Sequence, residues 1–239
     1  MSIINTEDRT VHATVNVGTE PSGVAITPNG SAAYVTNSGS NAVSIINTDD
    51  QTVQATVNVG SDPSGVAIAP NGAYAYVTNG GNGTMSIIST VTQKVTATVG
   101  VGRNPDGVAI TPNGAYAWVA NTGSSTVSVI NTASHKVVTT VNVGADPYGV
   151  AITPNGFTAY VTNGGSGNVS IVNTVTGHLT TVGVGSDPVG VAITPNGTRF
   201  MSRTVCLAPL ASSIPRTERS MQPCPLGAIR LERPSSIGG

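Results

Sequence analysis

The chain has 239 residues, of which only 9% are charged, and a formal net charge of −1. It is of one-domain size and carries no basic stripe over residues 1–200, which argues against a nucleic-acid partner. No apolar run approaches the length of a membrane span, and both cysteines lie beyond residue 200, so the body of the chain folds without a disulfide.

The first element, Met1–Thr6, matches 43–48 and so begins inside a repeat. No charged region precedes an apolar one, so no signal peptide is expected in this chain and the start reads as an internal one. Thr10–Val17 alternates as a strand with one covered face. Pro21, Pro63, Pro105, Pro147 and Pro188 then open five copies of P-x-G-V-A-I at steps of 42, 42, 42 and 41 residues. A fixed period of this length is the mark of a repeat architecture.

Each unit predicts four strands. Gly65–Ile68 is short and apolar, as a strand buried on both faces would be. Pro70-Asn71-Gly72 is a hairpin turn, Tyr74–Asn79 a second strand and Met85–Ile88 a third. The fourth shows best at Thr52–Val59, where Val53, Ala55, Val57 and Val59 share one face. Full units span 20–61, 62–103, 104–144 and 145–185, and Asp187–Gly197 opens a fifth. The fold class is therefore all-β: a β-propeller of four-stranded blades, about five blades' worth. A β-sandwich is the alternative, but it would not repeat its sequence so closely. The N-terminal segment supplies third and fourth strands, and the C-terminal part a first strand, with Phe200–Val205 left to serve as the second. The array is expected either to close by sharing that blade or to stay open, with an unpaired edge and poor solubility.

Tyr34-Val35-Thr36-Asn37, Tyr76-Val77-Thr78-Asn79 and Tyr160-Val161-Thr162-Asn163 recur in phase, with Trp118-Val119-Ala120-Asn121 as a variant. Over residues 1–200 the chain resembles the YVTN-type β-propeller repeat of surface-layer and other cell-surface proteins of archaea and bacteria. The resemblance implies a propeller, most often seven-bladed in that family, and an extracellular or cell-surface location, while the incomplete last blade is what a chain truncated from a longer parent would show. It implies no activity.

Residues 201–239 differ in character. Residues 1–200 hold five basic and nine acidic side chains, whereas the tail holds five arginines against Glu218 and Glu232, and both cysteines, Cys206 and Cys224. Read one base early, codons 201–204 can spell YVTN, and Pro209–Pro215 can spell T-V-S-V-I-N-T. The tail is expected to be a frameshifted blade. A disordered tail or a small appended module are the alternatives.

Candidate sites follow from the repeat phase. Glu20, Asp62, Asp146 and Asp187, with Asn104, precede the repeat prolines and fall at one mouth of the channel. The functional reading is a ring of hard oxygen ligands for a divalent cation or a polar ligand. The structural reading, which is favoured, makes them turn starters whose carboxylates bond nearby backbone N–H groups. Asn37, Asn79, Asn121 and Asn163 are read as strand-end caps, and Tyr34, Tyr76, Trp118 and Tyr160 as packing between blades. Ser22, Ser64, Asp106 and Tyr148 follow the prolines and vary, so specificity for a partner could reside there. His12, His135 and His178 occupy three different phases, and no nucleophile elbow, zinc helix, phosphate loop or dinucleotide fingerprint occurs. Asn29, Asn82, Asn168 and Asn196 match N-x-S/T as chance would allow in so Asn-rich a chain. The expected function is a non-catalytic structural or interaction module presenting its loop face to a protein or glycan. The alternative is a propeller enzyme of lactonase or lyase type with a metal at the mouth.

Overall fold

The computed structural model describes residues 1–204. They form twenty strands. β1 (Ser2–Ile4) and β2 (Val11–Thr14) pair with each other. Blade one follows as β3 (Pro21–Ile26), β4 (Ala32–Asn37), β5 (Ala42–Asn47) and β6 (Val53–Asn58). Blade two is β7 (Pro63–Ile68), β8 (Tyr74–Asn79), β9 (Thr84–Ser89) and β10 (Lys94–Gly100). Blade three is β11 (Pro105–Ile110), β12 (Tyr116–Asn121), β13 (Thr126–Asn131) and β14 (Lys136–Asn142). Blade four is β15 (Pro147–Ile152), β16 (Thr158–Asn163), β17 (Asn168–Asn173) and β18 (Leu179–Gly183). β19 (Pro188–Ile193) and β20 (Phe200–Thr204) end the described chain. Each full blade is an antiparallel meander with its strands in sequence order, and the fold is a β-propeller rather than a sandwich.

The turn chemistry explains why the repeat keeps its motifs. In Thr-Pro-Asn-Gly, Asn113 Oδ1 accepts from the Ala115 N–H at 3.0 Å and from Thr111 Oγ1 at 2.7 Å. Gly114 takes φ 73° and donates its N–H to Thr111 O at 2.8 Å. Thr132, which closes the third strand of the same blade, donates its hydroxyl to Gly114 O at 2.6 Å. The two hairpins at that end of the blade are thereby fastened to each other.

The core lies between blades, because period-2 side chains cover both faces of the middle strands. Tyr34, Val43 and Ile45 of blade one pack with Ala75, Val77 and Ile88 of blade two. Tyr76, Met85 and Ile87 meet Ala117, Val119 and Ile130, and Trp118 and Val127 meet Ala159, Val161 and Val172. The aromatic stripe is thus inter-blade packing. The first strands depart from expectation. They are half-buried, whereas the second and third are almost wholly buried. A first strand has only part of its surface covered by neighbouring blades.

The ends decide closure. β20 pairs with β19 in the register of a complete blade, with Thr204 opposite Pro188 as Asn163 is opposite Pro147. Phe200–Thr204 therefore does stand in as a second strand. Among the described residues, β1–β2 and β19–β20 are nonetheless separate two-stranded sheets and do not share a blade. The inner strands pack in the order β3, β7, β11, β15, β19. On β3, Val24 and Ile26 are 58% and 59% exposed, whereas their counterparts Val66, Ile68, Val108 and Ile110 are half-buried. The propeller is open along that flank. The proposed frameshifted blade beyond Thr204, with Cys206, Cys224 and the later arginines, lies outside the described residues. Among the described residues no helix is long and apolar enough to cross a membrane.

Candidate functional site

Pro63 lies opposite Asn79 in the ladder, and so do the corresponding residues of every full blade. The loops leading into the first strands and those leaving the second strands therefore share one end of the molecule, the mouth.

Much of the polarity that recurs from blade to blade at this end is consumed by the fold. Thr36 Oγ1 accepts from the Gly23 N–H at 2.7 Å and donates to Ser64 O of the next blade at 2.6 Å. Thr78 repeats this with the Gly65 N–H at 2.8 Å and Asp106 O at 2.5 Å. Blade three has Ala120 instead, and Thr122 takes over by donating to Pro147 O at 2.7 Å. A Cβ on Gly23 would lie 2.5 Å from Ser64 O, so glycine is required where the blades approach. Asn79 Oδ1 accepts from the Gly60 N–H at 3.1 Å, and its Nδ2 donates to Thr84 and Ser86 hydroxyls, each at 3.0 Å. Asn121 makes the same set. In the outer two blades, Asn37 and Asn163 keep the Ser44 and Ser170 bonds, but their buried Oδ1 atoms have no partner.

The residues before the prolines behave differently from both readings of the sequence. Glu20, Asp62, Asn104, Asp146 and Asp187 all adopt left-handed φ values of 48–54°, a conformation that Asn and Asp tolerate best among residues with a Cβ. The turn is closed by their backbone carbonyls. Glu20 O, Asp62 O, Asn104 O and Asp146 O accept from the N–H of Ser38, Gly80, Thr122 and Gly164 at 2.8–3.0 Å. The expected carboxylate-to-backbone bonds are not what holds it. Among the described residues no three Asp, Glu, His or Cys side chains converge on one point as the expected ring of cation ligands would require. Blades one, two and four and β19 each bring one carboxylate to this position, and blade three brings Asn104, so the charge is spread along the mouth instead of concentrated.

The four variable positions do come together. Ser22, Ser64, Asp106 and Tyr148 sit at the same place on successive inner strands, and Ser64 Oγ donates to Asp106 Oδ1 across the blade boundary at 2.8 Å. Burial pushes the Asp106 carboxyl up, the Ser64 bond pulls it down, and Asp62 adds to the rise. The Tyr148 phenol is raised by burial and then by Asp187, Asp146 and Asp106. A Cβ on Gly164 would lie 2.7 Å from Asp187 Oδ1 and 2.8 Å from the Tyr148 ring. Asp106 therefore joins the acidic strip, a grouping hidden in the sequence because it occupies a different repeat position from the other carboxylates. His12 is on β2, while His135 and His178 lie in the turn before β14 and just before β18, at the end opposite the mouth.

No protein-family model and no curated protein matches the sequence. Solved structures similar in fold include the following two. Hydrazine synthase of Kuenenia stuttgartiensis shares 26% identity at a TM-score of 0.72 over 81% of this chain. A protein of unknown function from Desulfotomaculum acetoxidans DSM 771 shares 21% identity at a TM-score of 0.75, covering 85% of this chain and 68% of that one. The present chain spans 58% of the hydrazine synthase chain. These similarities, with the blade topology, define the class as a β-propeller.

Proposed function

We propose that this propeller is a binding module of the YVTN-type cell-surface kind, which uses its mouth to hold a partner protein. One observation carries the reading. The carboxylates of Asp62 and Asp146 are not needed to close the turns they occupy, because their backbone carbonyls make the closing bonds, and Asp187 takes the same left-handed backbone beside them. Together with Asp106 and the Tyr148 phenol they form a strip of acceptors along one end. The complementary partner is a segment rich in Lys, Arg or N–H donors, steered by charge. A glycan at the same face is the other reading and lacks this charge argument. A cell-surface location rests on the repeat resemblance alone.

The test uses an octalysine peptide as probe. Its binding to the full chain is expected to weaken with salt and to fall about tenfold when Asp62, Asp146 and Asp187 are all replaced by Asn. Binding unchanged in that variant would overturn the reading. Lactone hydrolysis that requires added calcium or zinc, and is lost in Asp62→Ala and Asp146→Ala, would replace it with an enzymatic one.

A further inference from the structure

We propose that the cleft between blades three and four, at the end opposite the mouth, binds a neutral sugar ring. The inference is independent of the acidic mouth. The repeat supplies its own controls. Between blades one and two the corresponding recess is a cavity of about 320 Å³, lined by Ala32, Tyr34 and Gln54 on one side and Asn71 and Gly72 on the other. Between blades three and four it opens to about 890 Å³.

Departures from the repeat account for the difference. In the recess between blades two and three, His135 sets its ring edge-on against Tyr74, with centroids 6.2 Å apart and planes at 78°. One repeat later, Gly177 stands in the place of His135, in the same left-handed conformation (φ 72° against 55°). Tyr116, the counterpart of Tyr74, loses that cover and is 38% exposed. Phe157, 58% exposed, forms the opposite lip where blades two and three carry Ala73 and Ala115. Val138 replaces the polar Gln54 of blade one, and Trp118 replaces tyrosine at the floor.

The lining selects the ligand. It holds no acidic, basic or histidine side chain, so a charged group would be desolvated without a counter-charge. Its apolar surface includes the rings of Tyr116 and Phe157 beside the exposed side chains of Val138 and Val175. Its rim carries Asn113, Asn155 and Asn173, whose Oδ1 atoms are occupied by the backbone N–H groups of Ala115, Phe157 and Val175 at 3.0 Å each. Among the described residues none of the three Nδ2 groups donates a bond within the protein, so each remains available. A wholly apolar guest would bury these donors unpaired. A pyranose meets both demands, laying its C–H face on an aromatic ring while its hydroxyls accept from the amides.

The full chain is titrated with maltotriose, cellotriose and chitotriose, following the emission of Trp118, the single tryptophan, with calorimetry alongside. At least one sugar is expected to saturate. The double variant Phe157→Ala, Gly177→His, which installs residues the repeat itself carries at Ala115 and His135, is expected to weaken binding about tenfold or more with an unchanged melting temperature. Three results would overturn the inference: no sugar binding up to about 10 mM, binding that survives in the double variant, or saturation by 1-naphthol with no sugar bound. If the double variant melts early, Tyr116→Thr, the residue of blade four at that position, serves in its place with the same expected loss.

Discussion

Asp106 shows how one substitution in a repeat changes the chemistry of its neighbours. Ser22 and Ser64 hold the same place in blades one and two, and replacing serine by a carboxyl there half-buries an ionisable group beside Asp62. A carboxyl raised in the folded state contributes stability below its ordinary value of about 4, and that contribution is lost as pH rises through the raised value. Melts between about pH 3 and pH 7 are therefore expected to show a decline in the native chain that Asp106→Asn lacks. Ser64→Ala, which removes the one bond pulling the carboxyl down, is expected to move the decline to higher pH. Parallel profiles for native and Asp106→Asn proteins would show that its burial costs nothing.

At the scale of the strand, β20 tests how far the repeat tolerates foreign residues. Phe200 and Ser202 take the places of Ala159 and Val161, the face turned toward the preceding blade, and Phe200 packs on Tyr160 with ring centroids 4.7 Å apart. Met201 takes the place of Tyr160, the face turned toward a following blade, and is 64% exposed. Ser202→Val is expected to stabilise the chain by about 1 kcal/mol through added apolar burial. Met201→Tyr is expected to leave the melting temperature where it is. Equal gains from both would mean that the outer face of β20 is also covered.

Strand positions, turns and the propeller class were legible because each is fixed within one repeat by period-2 alternation and turn residues. The Asn-Gly hairpin marked where β7 ends, whereas its start lies at Pro63, two residues before the expected Gly65. What was not legible depends on two repeats at once. Half-burial of the first strands follows from the placement of neighbouring blades. The Ser64–Asp106 bond joins residues a full period apart, and the cleft joins Tyr116 to Gly177, which occupy different positions in the repeat. The ring of carboxylates was anticipated as a group, but the backbone makes the turns and the side chains do not converge.

For the molecule as a whole, a row of blades that touch only their neighbours should lose structure from its ends. The half-blades β1–β2 and β19–β20 each cover one face of a full blade, so hydrogen exchange is expected to run fastest there and slowest in β8, β9, β12 and β13. Uniform exchange across all blades would indicate a closed, fully cooperative ring. The exposed Val24 and Ile26 give the open flank a tendency to associate, and Val24→Thr with Ile26→Thr is expected to shift sedimentation toward monomer at high concentration.

The hairpin turns also govern how this protein ages. Every Asn-Gly step in them is a place where the glycine nitrogen can attack the asparagine amide and convert it to aspartate or isoaspartate. In Asn29-Gly30, Asn71-Gly72, Asn113-Gly114, Asn155-Gly156 and Asn196-Gly197 that nitrogen is instead held by the carbonyl three residues back at 2.7–2.8 Å. The same turn that sets the blade register thus protects its weakest covalent points for as long as the chain stays folded. Deamidation at these five sites becomes a clock that runs only in the unfolded fraction.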